Sequence, residues 1–232
     1  WYTIKGQRPS DETGTYRYKF DAPKSWAGQR VKIFFDGVMT DAEIMINGKP
    51  AGEMHQGGFY RFNYDITELL NLGKKNQLEV KVAKESANRS INAAERKADW
   101  WLFGGIYRPV WLEVLPQIHM EHFVLNADHQ GKLQAAVDMA GDAKGHEIIV
   151  SVRSLKDGKT VYTSNGQTTI THSISNSDKE QMISGEWASI IPWSTENPNL
   201  YVAKLELKNP EGKIVQTRET RIGFRTVEVF HQ

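Results

Sequence analysis

Asp99, Trp100, Trp101 and Phe103 set one carboxylate beside two indoles and a phenyl ring. Such a group suits a sugar-facing wall: the carboxylate accepts two hydroxyl hydrogen bonds with charge assistance, and the ring faces meet sugar C–H groups. The packing alternative is that the three aromatics plug the end of a β-sandwich, because buried rings mostly mark a core. Gly104 and Gly105 follow at once, and both suit a tight, positive-φ turn into the next strand. Other chemistry-bearing types are scattered. His55 precedes Gln56-Gly57-Gly58 with no nucleophile nearby and reads as a structural histidine. His119 and His122 stand three apart in a strand, so their side chains leave opposite faces and cannot share a metal. Asp36, in Asp36-Gly37-Val38, reads as a turn former, and Arg108 as an anchor for a carboxylate or for backbone carbonyls. Asn88-Arg89-Ser90 fits the glycosylation pattern, a triplet common by chance. The chain has no G-x-x-x-x-G-K-S/T, H-E-x-x-H or G-x-S-x-G. These residues ask for no cofactor and no metal.

The elements that must position this mid-chain cluster are strands. Tyr16, Tyr18 and Phe20 alternate with polar residues, and so do Val31, Ile33 and Phe35, the period-2 pattern of half-buried strands. Ala42 to Ile46 runs into Asn47-Gly48, a strong hairpin signal because both residues tolerate the positive φ of a type I′ turn. Asp65 to Leu70 reads as one capped helical turn, and Leu78, Val80 and Val82 alternate again. From Glu85 to Gly105 the alternation stops, which predicts a long polar loop without structure of its own, and a strand resumes from Ile106 to Leu115. After Leu115-Pro116-Gln117 a second set begins: Ile118, Met120, His122 and Val124; Leu133, Ala135, Val137 and Met139; Ile148, Val150 and Val152; Tyr201, Ala203, Leu205 and Leu207. Thr171 to Lys179 reads as an exposed loop, and Lys213 to Arg221 as the last strand. Ile222 to Val229 is apolar enough to pack on something. The proline marks a boundary, giving two domains, 1–116 and 117–232. Turns such as Asp157-Gly158, Asn165-Gly166 and Glu211-Gly212 recur at intervals suited to a small sandwich, so the fold class is all-β with two β-sandwich domains.

Bulk properties exclude several classes. The 232 residues suffice for two ordinary cores. No apolar run nears the ~20 residues that span a bilayer, so a soluble chain without a membrane partner is expected. Lys and Arg total 29 against 28 Asp and Glu, interspersed and without a basic stripe, so nucleic acid is not an expected partner. Without cysteine there are neither disulfides nor thiolate sites, and compartment cannot be read from usage. The abrupt start at Trp1 suggests a piece of a longer chain.

Five ordered segments then resemble the N-terminal half of glycoside hydrolase family 2, the β-galactosidase and β-glucuronidase group. They are Gly14 to Phe20; Phe35-Asp36-Gly37-Val38 continuing to Asn47-Gly48; Gly57-Gly58-Phe59-Tyr60 to Asp65-Ile66-Thr67; Asp99-Trp100-Trp101 to Val110; and Asn197-Pro198-Asn199-Leu200-Tyr201 to Arg225. The resemblance implies a jelly-roll sugar-binding domain followed by an immunoglobulin-like sandwich. It also implies a retaining exo-β-glycosidase, β-galactosidase-like, whose (β/α)8 barrel follows the segment matching Ile222 to Val229. The two catalytic glutamates, about 5–5.5 Å apart in retaining enzymes, belong to that barrel, so no catalytic residue falls in this chain. Asp99 matches the aspartate this family extends toward the sugar, and Trp100 and Trp101 are the candidate stacking faces beside it. The implied partners are a carbohydrate substrate and the intramolecular catalytic barrel. In some family members the matching aspartate also helps hold a sodium ion, but one hard ligand does not make a metal site. The family usually has an opening strand before the segment matching Trp1. Many such bacterial enzymes are periplasmic, while export, sugar, linkage and oligomeric state are not written in this chain. The competing reading, from another class, is a self-sufficient carbohydrate-binding or adhesion module of two sandwiches.

Overall fold

The computed structural model describes residues 13–96 and 104–228. The chain divides into two compact units, Trp1–Leu115 and Pro116–Gln232, each with its own core. In the first unit the strands are β1 (Thr13–Ala22), β2 (Gln29–Phe35), β3 (Val38–Met39), β4 (Asp41–Ile46), β5 (Lys49–Pro50), β6 (Phe62–Asp65), β7 (Lys74–Ala83), β8 (Gly105–Ile106) and β9 (Val110–Pro116). They form a sheet of order β1-β7-β4-β5, a sheet of order β6-β2-β9 and the two-stranded pair β3-β8. Val31, Ile33 and Phe35 from one sheet meet Ile44, Ile46, Leu78, Val80 and Val82 from the other, all under a tenth exposed. Each contributes about 1.5–3 kcal/mol by leaving water.

The Asn47-Gly48 turn has both residues at positive φ, 53° and 78°, as a two-residue hairpin with right-handed strands requires. The Asn47 amide also donates to Leu69 O at 2.8 Å and to Asn76 Oδ1 at 2.7 Å, so the turn is fastened from within. Asp65, one residue before the Ile66 N-cap of a short 3₁₀ turn, Thr67–Leu69, accepts from Thr67 N at 3.0 Å and Thr67 Oγ1 at 2.6 Å. Tyr16 and Tyr18 depart from the half-buried expectation: β1 lies at the sheet edge, and they are 43% and 67% exposed.

The second unit contains β10 (His119–Ala127), β11 (Lys132–Ala140), β12 (Glu147–Ser154), β13 (Thr160–Val161), β14 (Thr169–Ser173), β15 (Glu180–Glu186), β16 (Tyr201–Lys208) and β17 (Ile214–Ile222). One sheet runs β10-β11-β15; the other runs β13-β12-β16-β17, with β14 also on β12. Leu133, Ala135, Val137 and Met139 face Ile148, Val150, Val152, Leu205 and Leu207 across the sandwich. Phe224 is fully buried here, with its ring edge-on to Tyr201 at 5.3 Å, while Val227 is 75% exposed. Val229 lies outside the described residues.

Two expectations for this unit need correction. Residues 118–124 do not keep one inward set, because the register shifts between Met120 and His122. A bulge adds one residue and flips every later side chain. Met120 is therefore buried, while His122 and Val124 are exposed and Phe123 and Leu125 pack inward. Residues 171–179 are not wholly loop either: 171–173 belong to β14, and Ile174 is buried at 2%.

Candidate functional site

Asp99, Trp100 and Trp101, with Phe103, lie outside the described residues. What is described is the pair of stems that carry them. The stretch expected to be structureless forms a helix, α1 (Arg89–Arg96). Asn88 caps it: its Oδ1 accepts from Ser90 N at 2.9 Å, so the asparagine of the glycosylation-like triplet is occupied in a helix start. Ser86 and Asn92 brace the first turn reciprocally, Ser86 N donating to Asn92 Oδ1 at 2.9 Å and Asn92 Nδ2 to Ser86 O at 2.6 Å. Asp41, 4% exposed, ties this turn to the sheet by accepting from Ala87 N at 2.8 Å and Gln56 Nε2 at 3.0 Å.

The last turn of α1 is held as firmly. Glu95, 6% exposed, accepts the Gly58 N–H at 2.8 Å through Oε2. Arg96 donates through Nη2 to Thr40 Oγ1 at 2.7 Å, and that hydroxyl donates onward to Lys84 O at 3.1 Å. Burial pulls the Arg96 guanidinium below its ordinary pKa, against the raising influence of Glu85, Glu95 and Asp41. Among the described residues Asp41 Oδ1 and Arg96 Nε are buried without a hydrogen-bond partner.

The other stem enters through β8, with Met39 opposite Gly105 and Val38 opposite Ile106. Only Gly105 takes positive φ, at 78°; Gly104 does not, which narrows the sequence expectation to one glycine. Beyond it Tyr107 donates from its hydroxyl to Gly58 O at 2.6 Å. Arg108 donates to Asp36 O at 3.5 Å and lies over the Tyr107 ring, so it anchors a backbone carbonyl as expected. Asp36 is more than a turn former: Oδ1 accepts from Arg61 Nε at 2.7 Å and from Trp111 Nε1 at 3.2 Å, and Trp111 stacks on Phe34 at 4.2 Å.

His55 is structural in the way a lone histidine suggests. Its ring stacks on Phe62 at 3.6 Å, and Nε2 lies 2.8 Å from Gly57 O. Burial lowers its pKa from the ordinary value, outweighing the Gly57 carbonyl and the charges of Glu95 and Asp41. His119, 1% exposed, sits between Pro116 O and Glu121 Oε2, both at 2.8 Å. Among the described residues no three His, Cys, Asp or Glu side chains are grouped to hold a metal. The second unit carries a cleft of about 660 Å³ beside Trp193, Arg221 and Arg225, and among the described residues no carboxylate or nucleophile lines it. The arrangement is that of a scaffold. Among the described residues, these contacts hold Arg96 and Gly105, the two sides from which residues 97–103 are reached.

Sequence reasoning missed α1 and its partners. The local signal was present as Asn88 at a cap position followed by Ala93-Ala94-Glu95-Arg96, good helix formers.

Residues 3–116 match the family described as "Glycosyl hydrolases family 2, sugar binding domain", and residues 118–225 match "Glycosyl hydrolases family 2". A β-galactosidase of Thermoanaerobacter pseudethanolicus is 29% identical over 217 residues, which are 92% of this chain and 28% of that protein. A β-galactosidase of Kluyveromyces lactis is 31% identical over 237 residues, 94% of this chain and 22% of that one. The crystal structure of a Bacteroides uniformis β-glucuronidase shares the fold with a TM-score of 0.75 at 24% identity, over 93% of this chain and 26% of that one. The chain thus spans less than a third of the length of the curated relatives it matches.

Proposed function

This chain belongs to glycoside hydrolase family 2, and on that premise we propose that it forms the non-catalytic N-terminal portion of a retaining exo-β-glycosidase of the β-galactosidase type. The observation that carries the reading is the ordered pair of matches, sugar-binding domain then second domain, against relatives of which most of the length is unmatched. In this reading the (β/α)8 barrel lies beyond Gln232 and supplies both glutamates, so no residue of this chain takes a catalytic role. The first unit contributes the pocket rim through Asp99, with Trp100 and Trp101 beside it. The second unit braces the barrel. A carboxylate suits the rim because it accepts two sugar hydroxyls and is rigid once its neighbours are fixed.

The test is Asp99→Ala in the full-length protein with a chromogenic β-glycoside. Two hydrogen bonds to a charged group, each worth about 1.5–3 kcal/mol, predict a fall in kcat/KM of roughly a hundredfold or more, with KM raised and kcat lowered. Unchanged kinetics would return Asp99 to a packing role.

A further inference from the structure

Two points of the first unit each hold both stems of residues 97–103. Gly58 is the first. Its N–H goes to Glu95 Oε2 at 2.8 Å on the incoming side, and its carbonyl takes the Tyr107 hydroxyl at 2.6 Å on the outgoing side. The consecutive residues Met39 and Thr40 are the second. Thr40 Oγ1 takes Arg96 Nη2 at 2.7 Å, and Met39 pairs with Gly105 in β3-β8. The two points are themselves in contact, because a Cβ on Gly58 would lie 2.9 Å from Met39 Cγ and Cε and 3.3 Å from Glu95 Oε2. Gly58 is buried, and Thr40, Met39 and Glu95 are 0%, 1% and 6% exposed.

The geometry points to a two-point clamp in which Glu95, Arg96, Tyr107 and Thr40, gathered on Gly58 and Met39, are positioning residues that fix where residues 97–103 leave and rejoin the first unit. Burying a carboxylate and a guanidinium at this spot is costly, and apolar side chains would join α1 to the sheet at less expense. Apolar contacts, however, can slide; hydrogen bonds to backbone groups set a register and a direction. The consequence for sugar binding rests on the proposed role of Asp99, and the clamp itself does not.

The experiment uses the full-length protein and the variants Tyr107→Phe and Glu95→Leu, which cannot accept the Gly58 N–H, each alone and combined with Asp99→Ala. Tyr107→Phe keeps the ring, and Tyr201→Phe, which loses an equivalent bond from Ile191 N in the second unit, serves as a control with unchanged kinetics. Each clamp variant is expected to lower kcat/KM by about tenfold, the equivalent of one buried hydrogen bond, mainly through KM and without moving the pH profile of kcat. In the Asp99→Ala background the same variants should add less than about twofold, because a positioning residue acts only through what it positions. A full, multiplicative loss in that background overturns the clamp, as does wild-type kcat/KM in the clamp variants when Asp99→Ala alone is damaging. If Asp99→Ala is itself silent, the proposed role of Asp99 fails and the clamp is judged by hydrogen exchange. Tyr107→Phe should then speed exchange of the Gly58 amide and of α1 by about tenfold, and unchanged exchange refutes it.

Discussion

Gly104 and Gly105 are adjacent and chemically identical, yet the structure predicts opposite responses to alanine. At Gly105 the backbone sits at φ +78°, and a Cβ would lie 2.0 Å from Tyr16 Oη and 3.2 Å from Tyr16 Cζ. Holding alanine in the left-handed region costs about 1 kcal/mol. Expelling the phenol adds about 1–2 kcal/mol, the low half of the usual overpacking range, since Tyr16 is 43% exposed and can swing outward. Gly105→Ala should therefore destabilise the first unit by roughly 2–3 kcal/mol, close to 1 M in urea midpoint for an ordinary slope. At Gly104 the Cβ would meet, among the described residues, only the Lys84 side chain, at 3.4 Å from Cγ and 3.5 Å from Cδ. Gly104→Ala should stay within about 0.5 kcal/mol of the parent. Urea unfolding followed by tryptophan fluorescence reads both, and Gly105→Ala combined with Tyr16→Ser should recover the steric part and leave the conformational one. A Gly105→Ala protein as stable as the parent, or a Gly104→Ala protein equally damaged, would refute the reasoning.

Two further outcomes follow from single side chains. His55 is disfavoured as a cation in the folded state, so the unfolded chain binds the extra proton first; the stability it contributes is complete above 6.5, its ordinary value, and is lost as pH falls below it. A proton NMR titration should place the His55 midpoint below 6.5, and a midpoint at or above that value contradicts the assignment of burial as the dominant cause. Phe224→Ala should cost about 3–5 kcal/mol in the second unit, because the ring is fully buried against Tyr201; calorimetry showing a loss under ~1 kcal/mol would mean the site collapses around the vacancy.

The strands were legible because alternation maps directly onto burial: Val31, Ile33 and Phe35, or Leu133, Ala135, Val137 and Met139, face inward as their spacing demands. The reading failed where one extra residue intervened. The shift between Met120 and His122 changes which of the following residues point inward, and nothing in the local pattern announces it. The helix α1 was missed for a different reason. Its Asn92, Glu95 and Arg96 bond to Ser86, Gly58 and Thr40, two of these more than thirty positions away in sequence, and a polar stretch with distant partners looks like a loop from within. Asp36 is similar: its role depends on Arg61 and Trp111, which only the fold brings near. Asp99, Trp100 and Trp101 are legible in the sequence by residue type and by family resemblance alone.

The most direct measurement compares hydrolysis of a chromogenic β-glycoside by the full-length protein and by residues 1–232 alone. Turnover by the longer protein and none by the 232-residue chain is the predicted result. Turnover by the 232-residue chain alone would contradict the account at its centre, because it would require a catalytic acid–base pair within these two sandwiches.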